Sequence, residues 1–451
     1  MAFARDCIKW PAEQRPACYQ EEALATLATK RRVCVRSPHG TGKTALMAWA
    51  VLWFALTRDG NDWKIPTTAS NWRQVRRFLW PEIHKWARLL DWGKIGREAF
   101  DDRLELQTLG LHLRTGQAFG LASDEPAALE GAHADELLYV FDEAKTIVDG
   151  TWDAVEGAFA SGSCYWLAAS TPGEPQGRFY DIHKRKPGTE DWNTRHITLN
   201  EAIAAGRVSR EWAEQRKAQW GEQSAVFQNR VLGEFATSEE EGVIPLSWIE
   251  AANERWLQWQ DSVWRDLPEF TCVGVDVAES GGDKTVLALR FGNVIKELRA
   301  HRYAETMETT GHVAGVLNAH GGKAIVDALG VGAGVASRLR EQGYSVVSYK
   351  GSEASGMWDR TGEFGFVNLR TEAWWNMREM LAPDSGENVA LPPDDRLTGD
   401  LTAPHWMVMS GAKVKLEPKE QLTKRLGRSP DYGDAVVMAF ANVGEPRIRW
   451  L

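Results

Sequence analysis

Short apolar runs separated by longer mixed stretches set the architecture of this chain. Val33 to Val35 lead into a glycine-containing turn and then an unbroken apolar stretch, Ala45 to Leu56, which reads as strand, loop and buried helix. Trp63 to Ser70 reads as a strand running into a helix from Trp72 to Arg88, which carries Arg73, Arg76, Arg77, Lys85 and Arg88. Leu137 to Phe141 is a compact strand ending in Asp142 and Glu143, and Tyr165 to Ala169 is another ending in Ser170, Thr171 and Pro172. Short strands alternating with helical stretches predict a mainly parallel sheet with crossover helices.

The pattern changes after about residue 198. Glu201 to Gln219 is a polar helical stretch, and the acidic patch Thr237 to Gly242 before Pro245 marks a linker. A second sheet pattern begins at Thr271, with Cys272 to Val277, a turn through Gly281 and Gly282, then Thr285 to Arg290 and Val294 to Leu298. Gly292 and Asn293 fit the turn of an antiparallel hairpin. Lys323 to Val326 precede Asp327, and Tyr344 to Tyr349 follow a helix around Val335 to Glu341. Gly351 to Gly365, rich in glycine and polar residues, is expected to be a mobile loop. The expected organisation is a core at 1–198, a connecting subdomain and linker at 199–265, and a second domain at 266–451, since 451 residues exceed one ordinary core.

Composition adds bounds. With 43% hydrophobic and 25% charged residues the chain reads as globular, and the apolar stretch before Leu56 is too short to span a bilayer. No membrane partner and no signal peptide are expected, because Arg5, Asp6 and Lys9 open the chain without an apolar segment after them. Five scattered cysteines without a C-x-x-C pair point to a reducing compartment and no structural zinc. The net charge of −9 argues against a protein coated in nucleic acid, so any phosphate contact rests on local basic clusters.

The glycine-containing turn is Ser37-Pro38-His39-Gly40-Thr41-Gly42-Lys43-Thr44. Its end matches a phosphate-binding loop, with backbone N–H groups to cradle phosphates, Lys43 to reach their outer oxygens and the Thr44 hydroxyl to ligate magnesium. Ser37 stands where the consensus has its first glycine. Asp142 then holds the magnesium shell and Glu143 orients or deprotonates the attacking water, which makes the first domain an ATP hydrolase. Ser170 to Pro172 read either as a sensor of the outer phosphate or as a capping turn, and Gln20 either as an adenine contact or as a surface glutamine. Arg36 is the candidate catalytic arginine within the chain; Arg73, Arg76 and Arg77 contact DNA, a neighbouring subunit or solvent.

The C-terminal half carries a second set of acids. Asp276 lies within an apolar strand, Asp327 ends another, and Asp431 and Asp434 sit three apart at the start of the apolar helix Ala435 to Phe440. Carboxylates from two strands and a helix suit a two-metal nuclease, with Asp283 as an additional candidate ligand. Lys413, Lys415, Lys419, Lys424, Arg425 and Arg428 read either as contacts to a DNA backbone or as a solvated face.

With both acidic sites in hand, the chain resembles the large terminase subunit of tailed bacteriophages over nearly its full length. The likeness runs through Lys43 and Thr44, Gln74-Val75 to Glu82-Ile83, Leu138 to Ala144, Ser170-Thr171-Pro172, Arg230-Val231-Leu232-Gly233-Glu234-Phe235, Asp276 and Ser429 to Ala435. The resemblance implies an α/β protein: a P-loop ATPase domain of ASCE type with a mainly parallel sheet, followed by an RNase H-like nuclease domain with a mixed sheet. It implies ATP-driven movement of double-stranded DNA into a capsid and cleavage of concatemeric DNA. ATP and Mg2+ would serve, with Mn2+ as an alternative at the nuclease site. Lys43, Thr44, Asp142 and Glu143 take the ATPase roles, and Asp276, Asp327 and Asp434 the nuclease roles. It further implies a homo-oligomeric ring on the portal protein, a small terminase subunit as partner, and a place in the host cytoplasm, transiently docked on the procapsid. The competing readings are a translocase or helicase whose C-terminal domain binds nucleic acid without cutting it, a capsid component with a degenerate nucleotide fold, and a resolvase-like nuclease.

Overall fold

The computed structural model describes residues 2–11, 15–121, 129, 131–160, 163–222, 224–236, 242–278, 284–302 and 306–443. The turn through Gly281 and Gly282, Asp283 and most of the acidic patch before Pro245 lie outside them. The chain forms a two-domain α/β architecture. One compact unit comprises Met1–Glu214 with Gln228–Ala236, and the other comprises Gln215–Phe227 with Thr237–Leu451.

The strands of the first unit are β1 (Arg32–Arg36), β2 (Trp63–Ala69), β3 (Leu106–Gln107), β4 (Gly110–His112), β5 (Gly116–Gly120), β6 (Glu136–Asp142), β7 (Ser163–Ser170) and β8 (Asn193–His196). They form one sheet in the order β3-β4-β5-β2-β6-β7-β1-β8, parallel from β5 to β8 and antiparallel from β3 to β5. Because successive side chains of a strand point to opposite faces, each central strand feeds two cores. Val33, Val35, Leu138, Val140, Leu167 and Ala169 pack with the helix Lys43–Arg58 on one face. Cys34, Tyr139, Phe141, Trp166 and Ala168 pack with Trp152 and Trp192 on the other. A strand buried on both faces reads as a continuous apolar run, which is why these strands stand out in the sequence.

The second unit contains β9 (Phe270–Asp276), β10 (Thr285–Phe291), β11 (Val294–His301), β12 (Lys323–Asp327) and β13 (Val346–Tyr349), in the order β11-β10-β9-β12-β13. The hairpin β10–β11 and the pair β9–β10 are antiparallel, whereas β9, β12 and β13 run parallel, so the sheet is mixed. A small sheet joins β14 (Gly365–Phe366), β15 (Trp406–Met409) and β16 (Lys413–Leu416) in the order β14-β16-β15. Cys272, Val286, Ala288 and Ile325 face the core that includes the helix Asp431–Ala439, while Val273, Val275, Leu287 and Val326 face the core under the helices Thr306–His320 and Gly332–Glu341.

Three local expectations are corrected. Glu201 to Gln219 is two helices, Leu199–Ala204 and Arg210–Trp220, because Gly206 takes a left-handed φ of +65° between them. The segment from Trp72 to Arg88 is helical but widens to a π-turn at Val75–Leu79, next to Pro81, which has no N–H to donate. The loop Gly351 to Gly365 is tied by its own side chains: buried Ser355 donates to Glu372 (2.6 Å), and Asp359 accepts from the Thr361 hydroxyl (2.6 Å) and the Phe364 N–H (2.9 Å).

Candidate functional site

In the first unit the parallel pairing of β6, β7 and β1 brings three strand ends to one edge of the sheet, with Asp142 beside Ala169 and Arg36 beside Ser170. That edge is where open α/β sheets bind ligands. The loop after β1 turns through Gly40 and Gly42, at φ +76° and +80°, conformations that a side chain would strain, and then enters the helix Lys43–Arg58. Ser37 is fully buried and works as more than a glycine substitute: its hydroxyl shares a hydrogen bond with Thr41 Oγ1 at 2.6 Å and accepts from Lys43 Nζ at 3.2 Å. Lys43 Nζ also donates to the Pro38 carbonyl at 3.1 Å. Burial pulls the lysine below its ordinary range, opposed by Glu143 and Asp142. Thr44 follows as the second residue of the helix.

Asp142 is buried at the end of β6, and its carboxylate accepts the Glu143 N–H at 3.0 Å. Burial, with Glu143 adding and Lys43 opposing, pushes its carboxyl up to about 7. Glu143 sits at φ +47°, a strained conformation for a non-glycine residue, and its carboxylate accepts from the buried Ser170 hydroxyl at 2.9 Å. Ser170 therefore reaches Glu143 directly from the neighbouring strand.

Gln20 and Arg36 are engaged within the chain. Gln20 is buried; its amide donates to the Gly42 carbonyl (3.0 Å) and accepts from the Ala17 N–H (2.9 Å), which braces the loop. Arg36 pairs with Glu234 and donates to the Gly233 carbonyl at 2.8 Å. Gly233 (φ +69°) belongs to a segment that packs on the loop: a Cβ there would meet Pro38 at 2.7 Å, and the Arg230 carbonyl accepts the His39 N–H at 2.9 Å. The sequence resemblance included Arg230 to Phe235, but nothing in it placed that segment against the loop.

In the second unit the register puts Ile325 opposite Gly274, so Asp276 and Asp327, two residues further on, lie on the same face at neighbouring strand ends. Gly274 lets the helix Asp431–Ala439 settle on that face, since a Cβ would lie 2.2 Å from the Ala435 carbonyl oxygen. The close approach brings Asp434 to Asp276. Both are buried, and Lys419 lies between them, its Nζ 2.7 Å from Asp434 and 3.7 Å from Asp276. The Trp374 indole donates to Asp434 at 3.3 Å, and Asp431 accepts the Lys284 N–H at 3.3 Å. Burial lifts Asp276 well above the carboxylate range, with Lys419 opposing and Asp434, Asp431 and Asp327 reinforcing. Burial would lift Asp434 too, but Lys419 and Arg370 outweigh it and hold that carboxyl below its ordinary value.

Among the described residues no group of three or more His, Cys, Asp or Glu side chains is gathered closely enough to hold a metal ion as it stands. The donor chemistry nonetheless suits a hard cation such as magnesium or manganese, and the Lys419 ammonium is the positive charge that the two carboxylates share. The basic residues around it have separate tasks. Arg425 pairs with Glu417 at 2.6 Å, and Arg428 pairs with the fully buried Asp400. Asp400, absent from the sequence reading, accepts the Tyr432 and Gly433 N–H groups at 3.0 and 3.1 Å and so fixes the start of the helix bearing Asp434. A cavity of about 470 Å³ opens beside these groups, lined in part by Asp327, Asp434, Arg370, Lys415 and Lys419.

Fold and sites together define a two-unit α/β protein, with a lysine-bearing glycine loop facing an acidic pair in one unit and a carboxylate cluster beside a cation-lined cavity in the other. The resemblance read from the sequence meets a curated relative of the same description: the chain is 30% identical over 164 residues to the "Probable terminase, large subunit" of Enterobacteria phage P7. That match covers 36% of this chain and 32% of the relative, so it spans about a third of the relative's length. No family model matches. Among solved structures, the large terminase of the thermophilic bacteriophage D6E is similar over 95% of this chain and 99% of its own, with 13% identity and a TM-score of 0.44. The nuclease domain of the large terminase subunit gp2 of bacterial virus Sf6 is similar over 44% of this chain and 97% of its own, with 20% identity and a TM-score of 0.38. No helix among the described residues is long and apolar enough to cross a membrane.

Proposed function

We propose that this protein is a large terminase subunit of a tailed bacteriophage, which hydrolyses ATP to drive double-stranded DNA into a capsid and cuts concatemeric DNA at its second site. The observation that carries the ATPase half is the convergence of Lys43, Asp142, Glu143 and Ser170 on one sheet edge. In this reading the first unit is a P-loop ATPase of ASCE type. The loop N–H groups and Lys43 would hold the outer phosphates, Thr44 and Asp142 would hold magnesium, and Glu143 would orient the attacking water. Lys43, resting on the neutral oxygens of Ser37 and Pro38, is released to phosphate without breaking an ion pair. The Ser170 hydroxyl holds the Glu143 carboxylate and would give it up when nucleotide orders the attacking water.

The second unit is read as an RNase H-like nuclease. Asp276, Asp327 and Asp434, with Asp431 nearby, would hold magnesium or manganese, which when bound activates water and neutralises charge on the phosphodiester. Lys419 balances the two buried carboxylates until then. The same reading brings the portal protein, a small terminase subunit and a homo-oligomeric ring as partners, with action in the host cytoplasm on the procapsid.

The test uses the full chain with a long duplex. Magnesium- or manganese-dependent cutting, together with DNA-stimulated ATP turnover, is the expected result. Turnover without cutting in either metal would leave a translocase whose second unit only binds DNA.

A further inference from the structure

The small sheet β14-β16-β15 has two unlike faces. Side chains alternate along its strands, so Phe366, Val414 and Leu416 enter the core while Lys413 and Lys415 stand on the other face. The register sets Met409 opposite Lys413 and Met407 opposite Lys415, and both methionines are exposed. On the other side of β16, Gly365 pairs with Lys413. A Cβ on Gly365 would lie 3.7 Å from Lys413 Cγ and 3.8 Å from the Trp358 ring, so the lysine and the tryptophan flank the same point of this face. Trp358 bridges to Gly365 from the preceding loop and is 56% exposed, against the usual burial of tryptophan.

Two observations give the face a ligand. Lys419, Arg425 and Arg428 are each ion-paired, whereas Lys413 and Lys415 form no ion pair among the described residues. Lys415 also lines the cavity that Asp327 and Asp434 line, so the face continues into the carboxylate site. An exposed ring and thioethers beside two unpaired cations suit nucleotides whose bases are uncovered: a base stacks on the ring while the phosphates follow the lysines. Intact duplex would leave Trp358 unused, because each internal base is already stacked on both sides.

We infer that the face bearing Trp358, Lys413 and Lys415 is a platform for unpaired nucleotides of a DNA strand, with a base on Trp358 and neighbouring phosphates on the two lysines. The inference takes DNA as its ligand from the nuclease reading, but its geometry stands apart from that reading. Lys415 is the end of the platform nearest the carboxylates, so the strand runs from Trp358 toward them.

The experiment measures binding of the full chain, in EDTA so that nothing is cut, to an oligothymidine of about 12 nucleotides and to a duplex of equal length. Trp358→Ala is expected to weaken oligothymidine binding by about tenfold or more, the loss of one stacked base, and to leave duplex binding at the unsubstituted level. Trp358→Phe keeps a ring and should restore most of the affinity. Lys413→Gln should lower the slope of log K against log salt for the oligothymidine by about 0.7, the share of one phosphate on a single strand. Both side chains are exposed, so the thermal midpoint should hold; if it falls in Trp358→Ala, the affinity of Trp358→Phe and the slope of Lys413→Gln decide. Unsubstituted affinity in Trp358→Ala, an equal loss for duplex and single strand, an unchanged slope in Lys413→Gln, or no oligothymidine binding by the unsubstituted chain would overturn the inference. A chain with Trp358-dependent binding that cuts no DNA when magnesium or manganese is supplied would keep the platform and sink the nuclease reading instead. Metal-dependent cutting together with unsubstituted oligothymidine binding in Trp358→Ala would do the reverse.

Discussion

Each unit places a lysine at the centre of its polar site, and the two lysines are held in opposite ways. Lys43 rests on neutral oxygens, the Ser37 hydroxyl and the Pro38 carbonyl, so its charge is available to an arriving anion. Lys419 is ion-paired with Asp434 and close to Asp276, so its charge is already used. In the proposed reading the first site receives negative charge and the second positive charge, with Lys419 standing in for it. Removing one partner of a buried charge pair is more disruptive than its net contribution suggests, so the second site also needs Lys419 for its own integrity.

The largest expected effect tests whether the two sites are chemically separate. Glu143→Gln should lower ATP turnover by about a hundredfold or more, the size of a lost general base. Metal-dependent cutting by the same full chain should remain. Asp434→Asn should do the reverse, abolishing cutting while ATP turnover in the absence of DNA stays at the unsubstituted rate. Loss of both activities in either variant would mean that one site supports the other and would end the comparison.

A smaller effect separates the ways in which glycine builds each site. Gly274→Ala drives a Cβ against backbone atoms of the packed helix, 2.2 Å from the Ala435 oxygen and 2.8 Å from the Ala439 nitrogen. The helix must lift, at a cost of about 2–3 kcal/mol, and Asp434 moves with it, so cutting falls while ATP turnover persists. Gly42→Ala meets only the Gln20 amide nitrogen, at 2.7 Å, and its cost is mainly the left-handed backbone, about 1–2 kcal/mol. Denaturant titration of both variants checks the order. An equal or smaller loss in Gly274→Ala would mean that the helix does not rest on β9 as described.

Much of this was legible from the chain because it is local. Strands buried on both faces appear as apolar runs, and Asp142, Ser170, Asp276 and Asp327 are conspicuous as polar residues ending them. The helix break at Gly206 and the π-turn before Pro81 were missed because hydrophobic periodicity tolerates both. What remained hidden depends on partners distant in sequence. Nothing around Lys419 separates it from its basic neighbours until the fold sets it against Asp276, and Asp400 reads as an ordinary helix aspartate until Arg428, Tyr432 and Gly433 close on it. Gln20 and Arg36 reveal the same limit, since their side chains meet the loop at Gly42 and the distant segment at Gly233 and Glu234.

The most local effect concerns proton occupancy at the first site. Asp142 has a folded-state carboxyl pushed up to about 7 by burial and by Glu143, against an ordinary 3.8. A group whose pKa is raised on folding binds its proton more tightly in the folded state. Its contribution to stability is therefore fully present below the unfolded value and lost as pH rises through the folded one. Without nucleotide or magnesium, wild-type stability should decline on this account between about pH 4 and pH 7. Asp142→Asn, which carries no charge to bury, should lack that decline, melting level with the wild type near the acid end and above it at pH 8. Magnesium and nucleotide should narrow the gap at pH 8 by binding the ionised carboxylate of the wild type alone. Parallel melting curves for the two proteins across this range would show that Asp142 is ionised throughout, and that Lys43 offsets its burial more fully than the geometry indicates.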